Sequence, residues 1–222
     1  SDLIKMANDV PGDFLIRFMT SHPKDATEKL FKTMAQCEKA AHHIHLPFQS
    51  GNDRVLKAMN RNYTHDGYLK LVEQARSYMP DVVLTSDVIV GFPGETEEDF
   101  QDTLDVVEKC DFDSAFTFIY SKRSGTPAAK MENQVPEDVV KDRFDRLLAL
   151  VQEKGRKASS RFEGTVQEIL VEEESREKGI FTGRTEYNLL VHFPGCQDLI
   201  GKYVKVKLDT CKGFYYFGSL AE

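Results

Sequence analysis

The chain has 222 residues, of which 41% are hydrophobic and 29% are charged, and its formal net charge is −7 at pH 7. This size and composition are typical of a soluble globular protein with one large domain, or one domain and a small appendage. No apolar run approaches the roughly eighteen residues of a membrane span, and the negative net charge means that any contact with nucleic acid must come from a local basic face.

The first residues, SDLIKMANDVPGD, have neither the basic patch nor the apolar core of a signal peptide. They lack an initiator Met and have the pattern of an amphipathic helix that has already begun, so we expect the chain to be part of a longer protein. The cysteines are far apart, which predicts reduced thiols in a cytoplasmic protein. No two of them have metal-ligand spacing, so we expect this chain to bind no metal through Cys37, Cys110, Cys196 or Cys211.

Strand-like and helical runs alternate up to about residue 157. The strand-like runs are residues 13–19, 42–48, 81–92 and 113–120. Amphipathic helical stretches lie between them, one with Thr64 as N-cap and one with Thr96 and Asp99 at capping-box spacing. Strand–helix–strand units of this length predict an α/β fold, namely a partial (β/α) barrel or sheet of parallel strands with helices outside.

The pattern changes after a long amphipathic helix that opens near Pro136. The runs that follow are short, rich in β-branched and aromatic residues, and separated by Gly and Pro. They predict a small all-β barrel. We place the boundary near residues 156–160, which gives domains of residues 1–157 and 158–222.

Side-chain alternation predicts which strand residues face the interior of the α/β domain. Arg17, His45, Gln49 and Asp87 fall on polar faces near the ends of three strands, where parallel α/β barrels carry their chemistry. We therefore expect these four side chains to converge. The alternative is an Arg–Asp pair with a purely structural role, because buried polar groups must pair or bind something polar in either case.

Four ordered blocks and the tail together resemble a known family. LPFQSGNDRVLKAMNRNYT, RFMTSHP, SDVIVGFPGETEEDF and DSAFTFIYSKRSGTPAAKM are similar to blocks of the radical S-adenosylmethionine methylthiotransferases, and GRTEYNLLVHFPG is similar to their TRAM domain, an OB-like RNA-binding barrel. The resemblance covers essentially the whole chain. It implies a radical-SAM-type partial barrel followed by a TRAM barrel, from an enzyme that adds a methylthio group to isopentenylated adenosine next to the anticodon of tRNA.

The resemblance also implies roles for particular residues. Gln49 and Ser50 match the Gln-Ser-Gly block and are expected to contact S-adenosylmethionine, with Arg17, Ser21 and Asp87 as further contacts. Tyr120 and Ser121 are expected beside the adenine, largely through backbone groups. The expected substrate contacts are Arg61 and Arg123 in the first domain and Arg184, Asn188, Lys202 and Lys205 in the second, with Phe181, Tyr187 and Tyr203 as candidates for stacking on bases.

Two departures from the family pattern weaken the expected RNA contact. Leu189 stands where a basic residue is frequent, and His192 stands where Asn is frequent. The simple alternative for the second domain is a solvated barrel whose aromatic residues fill its core.

Cofactors and partners follow from the resemblance as well. The longer parent is expected to bind S-adenosylmethionine and [4Fe-4S] clusters, the clusters not being held by this chain, which would therefore be inactive alone. Its partners would be the tRNA anticodon stem-loop and an unidentified electron donor of the flavodoxin type, with no membrane. Exposed strand edges favour a dimer.

Other functions remain open at the level of sequence. Related enzymes act on threonylcarbamoyl-adenosine or on an aspartate of a ribosomal protein. A non-catalytic RNA-binding protein that keeps the barrel as a scaffold is the alternative from another class, and a ligand-free α/β domain is the simplest one.

Overall fold

The computed structural model describes residues 1–19, 22–213 and 215–221. The helices are α1 (Asp2–Asn8), α2 (Glu28–Gln36), α3 (Asp53–Ala58), α4 (His65–Tyr78), α5 (Glu97–Cys110) and α6 (Glu137–Ser160), and short 3-10 helices span Ala128–Lys130 and Gln197–Leu199. The strands are β1 (His43–His45), β2 (Val83–Val90), β3 (Ser114–Ile119), β4 (Val166–Glu174), β5 (Ile180–Thr185), β6 (Leu190–Pro194), β7 (Tyr203–Cys211) and β8 (Tyr215–Leu220). Within the described part of the chain, no helix is both long enough and apolar enough to cross a membrane.

The first half of the chain forms a three-stranded parallel sheet in the order β1-β2-β3. Helices α2, α4, α5 and α6 contribute to a single apolar core against one face of this sheet, in which the rings of Phe48 and Phe112 stack 5.6 Å apart. The other face is far less covered, and Phe116 of β3 is 56% exposed there. The predicted partial α/β barrel with parallel strands is confirmed.

Local signals position the helices of this half. The side chain of Thr64 accepts a hydrogen bond from the backbone N–H of Gly67, and Thr96 and Asp99 form the reciprocal capping box at the start of α5. Both predicted helix starts are confirmed, because the hydroxyls satisfy N–H groups that have no partner inside the helix. Asn52 caps α3 in the same way.

The strand expected over residues 13–19 is wrong. Only Ile16 pairs there, as an isolated parallel bridge to Ala40. The partner segment forms a turn at residues 38–39, directly before Ala40, and bends again at residue 42 before β1 begins. Strand β1 is also shorter than expected, and beyond it the N–H of Phe48 donates to the side-chain hydroxyl of Ser86 at 3.1 Å instead of to a backbone carbonyl of β2.

The second half forms a closed barrel in the order β4-β5-β6-β8-β7. Strands β6 and β8 pair in parallel and all other neighbours pair antiparallel. Inward side chains such as Val191, Val206 and Leu208 are fully buried and fill the barrel. The predicted small OB-like barrel is confirmed.

The two halves pack directly on each other. Val83 of β2 belongs to the same apolar cluster as the barrel residues Phe162 and Tyr216. The hydroxyl of Tyr216 donates to the carbonyl of Ser159 at 2.8 Å, at the end of α6. Helix α6 is a single continuous helix that connects the sheet to the barrel.

Candidate functional site

The open face of the parallel sheet carries a connected polar row. His45 of β1 lies with Nδ1 2.9 Å from Thr85 Oγ1 and with Nε2 3.5 Å from Asp87 Oδ2, both on β2. The neighbouring His43 Nε2 lies 3.4 Å from the same threonine oxygen. Alternation along β1 and β2 thus produces the predicted convergence of His45 and Asp87.

The charge of this row is set by burial. Burial, with the nearby His45 and Arg17, lowers the pKa of His43 to about 4, so its imidazole is neutral at neutral pH. The carboxylate of Asp87 lies next to His45 and adds an acceptor to this part of the face. This arrangement can bind a cationic or hydroxyl-bearing group.

Gln49 lies four residues beyond the end of β1. Its backbone N–H donates to the carbonyl of Asp87, and its carbonyl accepts from Ile89, both at 2.9 Å. The residue is 8% exposed and its backbone has φ of +65°, in the left-handed region. A non-glycine residue there costs about 1–3 kcal/mol and such strain clusters at ligand sites. The side-chain amide has no hydrogen-bond partner among the described residues, so it is free for a ligand.

The two residues after Gln49 hold this loop against the helices. Ser50 is 2% exposed and its hydroxyl accepts from the N–H of Asn52 at 3.3 Å. Gly51 donates to the hydroxyl of Thr103 at 3.0 Å, and a Cβ on Gly51 would overlap the backbone of Asp102. The hydroxyl of Ser50, which was expected to touch a cofactor, keeps its own O–H available after accepting this bond.

The turn after β2 holds a buried ion pair that the sequence reading missed. Glu95 Oε1 accepts from the backbone N–H of Gly91 at 3.1 Å and from Arg143 of α6 at 3.0 Å. Both charged residues are at most 5% exposed, and burial raises the pKa of Glu95. The Gly-Phe-Pro-Gly-Glu run was a usable signal, because it predicts a tight turn with a carboxylate that can cap it.

Tyr120 and Ser121 lie at the carboxyl end of β3, beside a cavity of about 730 Å³. The cavity is also lined by Gly91 and by the first turn of α6. The N–H of Tyr120 donates to the carbonyl of Val90 at 2.9 Å, and its hydroxyl is buried without a partner among the described residues. These two predicted residues therefore border a cavity of mixed polar and apolar lining at the expected edge of the sheet.

Arg17 lies close enough to His43 to contribute to its lowered pKa, but its hydrogen bonds go to the barrel. Its guanidinium donates to the carbonyl of Thr185 and to Asn188 Oδ1, the latter at 3.2 Å, both in the barrel. Burial, together with nearby Arg184, lowers the pKa of Arg17. The structure thus uses Arg17 to join the two halves of the chain. Ser21, also expected at the cofactor, lies outside the described residues.

The expected RNA contacts divide into two groups. Arg184 and Asn188 contact each other, with Arg184 Nη1 3.2 Å from the carbonyl of Asn188, and both lie at the joint with Arg17. Of the other expected contacts, Arg61 is half-buried and Arg123, Lys202 and Lys205 are exposed. Lys202 and Lys205 flank Tyr203, which lies in one row with Leu170 and Arg184 across the barrel.

Two of the expected stacking residues are inside the protein. Phe181 is 2% exposed in the barrel core, and Tyr187 is 9% exposed, with its hydroxyl 2.6 Å from Asp81 Oδ2. Neither can stack on a base in this structure. Tyr203 is half-buried on the outer face of β7.

The described residues contain no group of three or more His, Cys, Asp or Glu side chains placed to hold a metal ion. Cys37 and Cys110 are buried, and burial raises the pKa of the Cys110 thiol to about 12. A thiol of this kind is a poor metal ligand, since the thiolate is the form that binds.

Family models match both halves of the chain. A model of the radical SAM superfamily matches residues 2–107, and a model of the TRAM domain matches residues 160–221.

Relatives of known name match the chain from end to end. The protein named tRNA-2-methylthio-N(6)-dimethylallyladenosine synthase from Lachnoclostridium phytofermentans is 53% identical over 100% of this chain and 49% of its own length. Its namesake from Acetivibrio thermocellus is 52% identical over 99% of this chain and 46% of its own length. The chain thus spans about half the length of the curated relatives it matches.

A solved structure agrees with the fold. Coproporphyrinogen III oxidase from Escherichia coli, a radical SAM enzyme, matches with a TM-score of 0.52 at 15% identity, over 85% of this chain and 45% of the other. At this identity the likeness shows the fold alone. Taken with the sequence matches over both halves, the chain belongs to the radical SAM methylthiotransferase family, with a radical SAM region followed by a TRAM domain.

Proposed function

We propose that this chain is part of an enzyme that adds a methylthio group to isopentenylated adenosine beside the anticodon of tRNA. The observation that carries the proposal is the match of essentially the whole chain to synthases of that name, at 53% and 52% identity. The polar open face of the sheet supports it, because catalysis on a buried cofactor needs such a face at the ends of the strands.

The residues on this face fit S-adenosylmethionine. The amide of Gln49 and the hydroxyl of Tyr120 have no described partner, and the carboxylate of Asp87 faces the same side as His45. When bound, S-adenosylmethionine supplies the radical that removes hydrogen from the adenosine and supplies the methyl group. We assign Gln49 and Asp87 to its ribose or methionine part, and the backbone of Tyr120 and Ser121 to its adenine.

The protein's own contribution is to hold this cofactor and to shield it. The strained backbone of Gln49 is fixed by hydrogen bonds to Asp87 and Ile89, so the Cα from which its side chain extends is held in one place before any ligand arrives. The Glu95–Arg143 pair fixes the adjacent turn in the same way. Rigid supports of this kind make positioning precise.

We further propose that the [4Fe-4S] clusters of the enzyme are not bound by the cysteines of this chain. The raised pKa of Cys110 and the burial of Cys37 support this. An electron donor of the flavodoxin type and a dimer through the exposed edge of β3 belong to the same proposal.

The division of labour within the chain is also a proposal. Residues 1–157 would hold the cofactor, and residues 158–222 would bind the anticodon stem-loop of tRNA in the cytoplasm. Two separate apolar cores, one on each side of the end of α6, support this division.

The test is to delete the gene that encodes this chain and to analyse tRNA nucleosides by mass spectrometry. The proposal predicts loss of the methylthiolated isopentenyl-adenosine and accumulation of isopentenyl-adenosine without the methylthio group. Loss of methylthiolation from threonylcarbamoyl-adenosine, or from a ribosomal-protein aspartate, would instead assign the chain to a related enzyme. An unchanged set of modifications would favour a non-catalytic RNA-binding protein.

A further inference from the structure

The outer face of the barrel carries three aromatic side chains in mutual contact. The ring of His192 lies 5.1 Å from that of Tyr215 and 5.7 Å from that of Phe217, and the two latter rings lie 5.6 Å apart. None of these rings belongs to the barrel core. We call His192, Tyr215 and Phe217 the aromatic platform.

Strand register shows why the platform points outward. His192 and Phe217 are partners in the parallel pairing of β6 with β8. Their chain neighbours Val191 and Tyr216 are buried in the core, so alternation turns the platform rings to solvent. Phe217 is 40% exposed.

Cations flank the platform on strand β7 and the turn that follows it. Lys207 pairs with Ser219, two residues beyond Phe217, and the N–H of Lys212 donates to the carbonyl of Tyr215 at 2.8 Å. Both lysines are exposed, and neither pairs with a carboxylate among the described residues. Asp209 is the acidic residue between them on β7.

The platform is continuous with the joint between the two halves. Arg184 on β5 pairs with Leu190 on β6, and Leu190 pairs with Tyr215 on β8, so the three lie in one row across the barrel. Arg184 in turn lies beside Arg17 of the first domain. A chain that followed this row would run from the platform towards the domain that carries the open polar face.

We propose that the aromatic platform binds unpaired nucleotides of RNA by stacking, with Lys207 and Lys212 holding the phosphates. Proteins bind single-stranded RNA with aromatic rings on which the bases stack and with nearby cations that contact the negatively charged phosphates. The platform has such rings, and Lys207 and Lys212 have no carboxylate partner among the described residues. An apolar protein partner would leave these two ammonium groups without a counterpart. The inference rests on the proposed RNA substrate and names the surface that contacts it.

The test measures binding of fluorescein-labelled RNA by the full 222-residue chain using fluorescence anisotropy. The probe is an unstructured RNA of about 12 nucleotides, within the site size of small barrels, and the comparison is a blunt RNA duplex of the same length. Phe217→Ala and Tyr215→Ala should each weaken binding of the single strand about tenfold. The duplex should bind more weakly than the single strand and should not respond to these changes.

Further variants separate stacking from packing. Phe217→Tyr and Tyr215→Phe should retain binding, because they keep a flat ring, whereas Phe217→Leu should lose it despite keeping apolar bulk. Val166→Ala is the matched control, since Val166 is an outward barrel side chain that is 52% exposed and lies off the platform. Circular dichroism of each variant should show the same fold.

The outcomes are distinguishable from failure of the proposed function. Single-strand binding that is unchanged in Phe217→Ala and Tyr215→Ala would overturn the platform and leave the enzymatic proposal intact. Absence of RNA binding by the wild-type chain would also overturn it, while the nucleoside analysis still decides the reaction. Self-association that Phe217→Ala abolishes, without any effect on RNA, would assign the platform to a second copy of the chain.

Discussion

At the scale of single residues, the most informative position is Gln49. Side-chain alternation predicted that it lies on the polar face with His45 and Asp87, and the structure shows its backbone paired with β2 between Asp87 and Ile89. Its left-handed backbone, with φ of +65°, was not predictable, because Gln has no preference for that region and long-range hydrogen bonds to Asp87 and Ile89 impose it. Local strain at a functional residue is a product of tertiary structure.

This strain predicts an unusual order of stability at position 49. Gln49→Gly should be more stable than Gln49→Ala by about 1 kcal/mol, since glycine adopts a positive φ without the clash that a Cβ suffers. Urea denaturation of the two variants measures the difference. At a position with ordinary backbone geometry alanine would be the more stable of the two, and that result would contradict the left-handed assignment.

His43 predicts a pH dependence of folding. Its pKa is lowered from 6.5 to about 4 in the folded chain, so the folded state disfavours protonation relative to the unfolded state. The contribution is present above pH 6.5 and is lost as the pH falls through 4. The free energy of unfolding should therefore fall less steeply with acid in His43→Gln than in the wild type.

The matched control for His43→Gln is Gln152→Ala, an exposed change on α6 that removes no titratable group. Its unfolding free energy should follow the pH curve of the wild type between pH 6.5 and 4, the interval set by the His43 titration. Identical slopes for His43→Gln and the wild type would show that burial does not perturb His43.

At the scale of secondary-structure elements, the sequence was most reliable where a local hydrogen bond decides the structure. Thr64 and Thr96 start helices α4 and α5 as predicted, because a capping hydroxyl needs only neighbours within three residues. The strand expected over residues 13–19 failed for the opposite reason. A β-like pattern forms a strand only where a partner runs alongside, and only Ala40 does so there.

The turn between β2 and α5 provides a test at this scale. Glu95→Ala removes the buried carboxylate partner of Arg143 and leaves only the more exposed Glu97, 3.3 Å from Arg143 Nε, so the free energy of unfolding should fall by about 3 kcal/mol, the low end for breaking a buried pair. The double variant Glu95→Ala/Arg143→Met should be less destabilised than the sum of its two single variants, because the uncompensated charge is gone. Additive effects in chemical denaturation would show that the two side chains do not interact.

At the scale of the whole molecule, the folds of the two halves could be predicted from the sequence, but the contacts that join them could not. The change from alternating helices and strands to short aromatic runs marks two kinds of fold in the sequence. The contacts that join them, such as Arg17 to Asn188 and Tyr187 to Asp81, link residues more than one hundred positions apart. No local pattern signals them, so the sequence did not predict that Arg17 and Tyr187 join the two halves.

The central claim is that the open polar face of the sheet carries the site of a methylthiotransferase. The most direct measurement is complementation of a strain that lacks the gene, with tRNA nucleosides quantified by mass spectrometry. Genes carrying Gln49→Ala or Asp87→Asn should restore less than about one tenth of the methylthiolated nucleoside, a loss expected when a positioning contact to the cofactor is removed. The exposed helix variants Gln152→Ala and Glu153→Gln are the matched controls and should restore it fully. Full restoration by Gln49→Ala and Asp87→Asn, at equal protein levels, would contradict the assignment of the site to this face.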